Sequence, residues 1–175
     1  MKSVYFLSVL SVFLLSACGS QTDDTSVEPL SVSKETSSLA AIQTLGGVTA
    51  VRIEGNDRMQ FSLTEFSVKT GDRVKIIFEN TGRMPKTAMG HNVVVLEKGV
   101  DANAYAGKAA LARDNDFIPE SEASSVIAYT KLLGPGESNT IEFVAPEAGE
   151  YVYLCSFPAH CFAGMRGVMT VLPAE

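Results

Sequence analysis

Hydrophobic and polar positions alternate along much of the chain in short runs rich in β-branched and aromatic residues. Such runs occupy 48–53, 59–68, 74–79, 91–96, 126–131, 140–144, 151–155 and 167–172. Between them stand turn-forming clusters, among them Gly55-Asn56-Asp57, Thr70-Gly71-Asp72, Asn80-Thr81-Gly82 and Gly134-Pro135-Gly136. Ile141 and Phe143 alternate with Glu142, as a strand buried on one face does. Seven or eight strands at this spacing predict an all-β, antiparallel sandwich or barrel. One stretch departs from the pattern. Residues 101–113 are Ala-rich, with Tyr105, Ala109 and Ala112 at helical spacing, and predict a short helical insertion. Residues 114–125 read as irregular.

The N-terminal region carries a different pattern. Met1-Lys2 precedes an apolar run that ends in Leu15-Ser16-Ala17-Cys18. The run is short for a membrane-spanning helix and reads as a signal segment, 1–17. Its end resembles a bacterial lipobox, which makes Cys18 the expected lipidation site and new N-terminus. Residues 18–45, rich in Ser, Thr, Asp and Glu, read as a flexible tether, and 46–175 as one folded domain.

Charge and composition narrow the function. A net charge of −6, without a cluster of Lys or Arg, argues against nucleic acid as a partner. Export would place the chain where disulfides form, yet only Cys155 and Cys161 lie beyond Cys18. A bridge across so small a loop would restrain the unfolded chain very little. These thiols call for another explanation.

The stretch CSFPAHCFAGM, from Cys155 to Met165, supplies one. A thiol, an imidazole and a thioether stand at Cys155, His160 and Met165, in a loop between two predicted strands. Hard ions prefer oxygen, and zinc has little use for a thioether. A trigonal His₂Cys set with a weak axial Met suits a blue-copper electron-transfer site. The second histidine is then His91, since the chain has only two. Taken singly, a His in an apolar segment or a lone Met is more often structural. The joint pattern is what points to a metal.

These motifs, together with EGNDRMQF (54–61), TGRMPKTAMGHNVVVL (81–96) and VIAYTKLLGPGE (126–137), resemble the cupredoxins, and within them the azurin and auracyanin group. The resemblance implies an eight-stranded Greek-key β-sandwich holding one type 1 copper ion. By motif position the ligands would be His91, Cys155 and His160, with Met165 as a weak axial ligand and the Gly90 backbone carbonyl opposite it. Asn92 would tie the two ligand-bearing segments together, and the backbone N–H groups of Asn92 and Phe157 would point at the Cys155 sulfur. Met59, Met84, Met89, Phe157, Pro158 and Ala159 would form an apolar docking patch around a solvent-edge His160. Ala159 stands where the family usually has Gly, which affects the loop if that position has positive φ. Asn80 and Tyr129 replace familiar histidines.

The function so implied is outer-sphere transfer of single electrons through the His160 edge. Transient redox proteins such as cytochromes or copper enzymes would be the partners, and the lipid on Cys18 would confine the protein to a membrane of the periplasm or cell envelope. An electron carrier rather than an enzyme is expected, since no histidine is spare for a further copper. A copper-binding delivery or storage lipoprotein is the alternative. Cys161 reads as a spectator, since a coordinated Cys155 would be tied up as its thiolate, and the spacing of the two does not match the Cys-x-x-Cys motif of a thiol–disulfide protein.

Overall fold

In the computed structural model, residues 41–174 are described; the expected signal segment, Cys18 and most of the expected tether lie outside the described residues. Among the described residues there are ten strands: β1 (Ile42–Leu45), β2 (Val48–Asn56), β3 (Gln60–Phe61), β4 (Glu65–Lys69), β5 (Arg73–Asn80), β6 (Val94–Leu96), β7 (Val126–Tyr129), β8 (Ser138–Val144), β9 (Gly149–Leu154) and β10 (Arg166–Leu172). They form two sheets of five. One runs β1-β2-β5-β8 with β3 on the edge of β2, and the other runs β4-β10-β9-β6-β7.

The expected sandwich is present, with three differences of detail. The pairs β2·β5 and β4·β10 are parallel rather than antiparallel. Between β2 and β5 the chain crosses to the second sheet through β4, and a crossover of this kind returns a strand parallel to its neighbour. The run 59–68 is two strands, because the chain leaves the first sheet after Phe61 and joins the second at Glu65. β1 falls within the stretch expected as tether, where Ile42↔Val51 to Leu45↔Val48 pair it with β2 in a hairpin.

The uninterrupted apolar run Val93–Leu96 has a structural cause. Val93 and Val95 enter the core between the sheets, with Ile53, Phe78, Tyr153 and Cys155. Val94 and Leu96 face the other way and pack against helix α2 (Ala102–Ala109), alongside Leu154 and Cys161. β6 is therefore covered on both faces, and no polar alternation is needed there. Helix α2 starts where Asp101 accepts the Ala104 N–H at 2.8 Å, a cap that contributes about 1 kcal/mol. It buries Tyr105, Ala106 and Ala109. The expected irregular segment 114–125 contains two 3₁₀ turns.

The strand ends bring the chemistry to one pole. Cys155 follows β9, Met165 precedes β10, and Gly55 near the end of β2 is in register with Asn80 at the end of β5. Helix α1 (Lys86–Met89) leads through Gly90 into His91, which forms an isolated bridge with Leu133.

Candidate metal centre

His91 is fixed by its backbone before its side chain is considered. Its N–H donates to the Leu133 carbonyl at 3.1 Å and its carbonyl accepts from the Leu133 N–H at 2.7 Å. The loop from Cys155 to Met165 is tied in the same way. The His160 N–H donates to the Phe157 carbonyl, the Met165 N–H to the His160 carbonyl at 2.9 Å, and the Cys155 N–H to the Met165 carbonyl at 3.0 Å. Three consecutive returns to its own backbone leave the loop little freedom.

These frames aim three donor atoms at one point. His91 Nδ1 lies 3.2 Å from His160 Nδ1. Cys155 Sγ stands 3.4 Å from His160 Nδ1 and 3.9 Å from His91 Nδ1. All three residues are buried, and their ligand atoms lie within 4.8 Å of one another. Met165 is fully buried beside them. A Cβ built on Gly55 would meet Met165 Cε at 3.0 Å and His91 Cδ2 at 3.3 Å, so thioether methyl and imidazole share the space that this glycine leaves free. Gly90 is also buried, pressed against the Lys86 carbonyl and the Leu132 side chain.

The electrostatics suit a cation. Burial, reinforced by the neighbouring His91, holds the His160 pKa down at about 4. Burial lowers that of His91 as well, against smaller upward pulls from the Asn56 backbone and Asp57. Both rings are neutral at pH 7 and offer lone pairs. His91 Nε2 is buried without a well-formed hydrogen bond. Burial pushes the Cys155 thiol up to about 12, partly offset by the backbone N–H groups of Asn92 and Phe157. Without a cation the site holds a neutral thiol. With one, those two N–H groups are placed to stabilise a thiolate.

The other sequence-predicted residues fall into place unevenly. Asn92 joins the His91 and Cys155 segments: its Oδ1 accepts from the Ser156 N–H, and its Nδ2 donates to Ser156 Oγ, both at 2.8 Å. Of the expected docking patch, Met84 is 42% exposed, and Ala159 is exposed. Met59 and Phe157 are half-buried against the core, and Met89 and Pro158 are also half-buried. His160, expected at the solvent edge, is only 2% exposed. The Phe157 ring lies over it at a centroid distance of 4.6 Å. Ala159 takes φ 70°, the left-handed conformation that its replacement of glycine brought into question.

Three residues at the site had no signal in the sequence. Ser156 completes the Asn92 pair. Asp116 accepts a 3.3 Å bond from Asn92 Nδ2 through its carbonyl. Phe117 meets the Phe157 ring edge-on at 5.1 Å. The last two belong to the segment read as irregular, and they reach the site through contacts distant in sequence.

Residues 48–172 match the family model described as copper binding proteins, plastocyanin/azurin family. The chain is similar to azurin from Alcaligenes faecalis, 38% identical over 68% of this chain and 94% of the relative. It is also similar to outer membrane protein H.8 of Neisseria meningitidis serogroup B, 36% identical over 72% of this chain and 69% of the relative. Among solved structures, dithionite-reduced auracyanin from the photosynthetic bacterium Roseiflexus castenholzii superposes with a TM-score of 0.63 at 37% identity. That match covers 74% of this chain and all of the other.

Proposed function

The chain belongs to the plastocyanin/azurin family of copper-binding proteins, and on that premise we propose that it carries single electrons between protein partners at a membrane surface. One type 1 copper ion is its cofactor, and blue-copper electron transfer is its role at the family level. The observation that carries the reading is the convergence of three buried donors, His91 Nδ1, Cys155 Sγ and His160 Nδ1, on one point.

When bound, copper supplies one-electron chemistry at a potential set by its ligands and their surroundings. His91 and His160 offer neutral Nδ1 atoms, held in that state by burial. Cys155 gives up its proton, and the backbone N–H groups of Asn92 and Phe157 stabilise the resulting charge. Met165, and Gly90 through its carbonyl, would complete the set as further, weak donors to the ion. The backbone ties around Leu133 and the 155–165 loop keep these groups from moving between oxidation states, which lowers the cost of reorganisation. Electrons pass through the slightly exposed His160 edge, with Met59, Met84, Met89, Phe157, Pro158 and Ala159 excluding water from a small contact. Transient redox encounters bury limited area, so a patch of this size suffices. Lipid on Cys18 and the tether hold the protein at a membrane of the cell envelope. The likeness to a relative named as an outer membrane protein supports that placement.

The test is a visible and EPR spectrum of the protein after one equivalent of Cu(II). Intense thiolate-to-copper absorption with narrow copper hyperfine splitting is the expected result. A pale spectrum with wide splitting would refute the blue-copper reading and favour copper delivery or storage.

A further inference from the structure

The pole that bears the metal centre is charged against the grain of the molecule. The chain as a whole stands at −6. Yet the pole's loops 55–59, 81–90, 113–117, 132–137 and 155–166 carry five basic residues, Arg58, Arg83, Lys86, Arg113 and Arg166, against four acidic ones, Asp57, Asp114, Asp116 and Glu137. Three of these carboxylates, Asp57, Asp116 and Glu137, accept from backbone N–H groups. Asp57 accepts the Arg83 N–H at 2.8 Å and the Met84 N–H at 3.3 Å, and Glu137 accepts the Gly134 N–H at 2.7 Å. Those bonds to Asp57 also draw the turn carrying Arg58-Met59 against the loop carrying Arg83-Met84. Two exposed guanidinium groups thereby adjoin two methionines of the apolar patch. Among the described residues neither arginine forms an ion pair with a carboxylate, whereas Arg73, Lys75, Lys98 and Lys108 all do. Arg166 leans away, toward Asn103 Oδ1 at 3.4 Å.

We propose that the partner docking on this pole is a redox protein whose contact surface has an acidic rim around an apolar centre, with carboxylates meeting Arg58 and Arg83. The proposal rests on the electron-carrier reading and adds the partner's chemistry to it. At 0.1 M salt the screening length is about 10 Å. An approaching partner therefore senses the pole's own charges more than the acidic residues on the rest of the surface. Charges at the rim of a contact mainly set the rate of encounter and its salt dependence. A protein partner fits better than an anionic lipid surface, because lipid seated on this pole would cover the His160 edge.

Two probes test this, one of them independent of copper. The redox-inert trianion hexacyanocobaltate(III) is added to the metal-free protein and followed by NMR. Amide shifts centred on 57–59 and 83–84, lost in the R58E/R83E variant, are expected. No shifts there would overturn the proposal even if the copper site is blue. In the second arm the reduced, copper-loaded protein gives one electron to hexacyanoferrate(III), forming hexacyanoferrate(II), or to tris(phenanthroline)cobalt(III), forming the cobalt(II) complex. The rate with the anion should fall as salt rises, and drop about tenfold or more in R58E/R83E at low salt. The rate with the cation should move the opposite way. A cation rate that falls with salt while the anion rate rises would overturn the proposal. So would arginine-dependent binding to phosphatidylglycerol vesicles without any charge bias in the kinetics. If the electron-carrier reading itself fails, neither oxidant reacts, yet the trianion still perturbs 57–59 and 83–84.

Discussion

Asn92 and Ser156 hold each other by two hydrogen bonds of 2.8 Å, carboxamide oxygen to backbone N–H and carboxamide nitrogen to hydroxyl. Each residue follows a donor of the metal centre by one position. The pair therefore clamps His91 to Cys155 across 64 residues of sequence, at a place where both partners are buried. Asn92 is a positioning residue.

Asn92→Ala should cost about 1–3 kcal/mol of stability in the metal-free protein, since the Ser156 N–H is left buried without a partner. Copper affinity should fall by about tenfold or more, as is typical when outer support of a ligand is removed. Denaturant unfolding reads the first effect and a chelator competition the second. A stability loss with unchanged affinity and potential would show that the clamp serves folding alone.

The two cysteines lie on opposite sides of their sheet. Cys155 belongs to the core between the sheets, and Cys161 packs under α2 with its sulfur 3.7 Å from the Ala102 carbonyl. Both are free thiols. Cys155→Ser should abolish the intense blue absorption, whereas Cys161→Ser should leave the spectrum nearly unchanged. A visible spectrum of each copper-loaded variant decides. Equal blue colour in Cys155→Ser would remove the thiolate assignment.

Protonation makes the metal-free protein sensitive to pH on both sides. The His160 pKa is about 4 in the fold and near 6.5 when unfolded, so the unfolded chain binds more protons between those values. Its contribution to stability is complete above pH 6.5 and is lost as pH falls toward 4, with His91 acting in the same sense. Cys155 has the opposite sign. Its thiol pKa rises from 9.0 to about 12 on folding, so stability falls as pH climbs above 9. Denaturation midpoints across this range should describe a dome. Copper uptake at pH 7 should release about one proton per ion, from Cys155, measurable in weak buffer.

The donors could be read from sequence because Cys155, His160 and Met165 are neighbours in the chain and no other histidine competes with His91. Nine of the ten strands among the described residues overlap the apolar runs. What escaped was set by contacts rather than local pattern. The strand Ile42–Leu45 is mostly exposed, so it carries no buried alternation and is held by pairing along the sheet edge. Asp116 and Phe117 adopt φ 50° and 60°, conformations unusual for residues other than glycine. Nothing in the local sequence announces them, because their supports are Asn92, Leu132 and the Phe157 ring.

Ala159 stores strain beside a ligand. At φ 70° an alanine is less favourable than glycine by about 1 kcal/mol, and the residue is exposed, so no packing is lost by removing its methyl group. Ala159→Gly should raise the stability of the metal-free protein by about that amount, and Ala159→Val should lower it by more. Thermal unfolding of the two variants gives the comparison.

Gly55 offers a test of Met165 and His91 together. A methyl group at this position would meet Met165 Cε and Phe78 Cζ at 3.0 Å and His91 Cδ2 at 3.3 Å. Two of these neighbours are assigned to the metal centre and the third is a fully buried core ring. Phe78 is held edge-on to Phe61 at 5.9 Å, so the flexible thioether is the group best able to give way. Gly55→Ala should therefore shift the reduction potential and the ratio of the visible bands, because Met165 is pushed relative to the His91 ring. The stability loss should be about 1–3 kcal/mol, the usual cost of overpacking a core. Cyclic voltammetry and absorption spectra of the copper-loaded variant read the first effect. A destabilised protein with unchanged potential and spectrum would mean that the core absorbs the methyl through Phe78, and that Met165 stands too far from the metal to influence it.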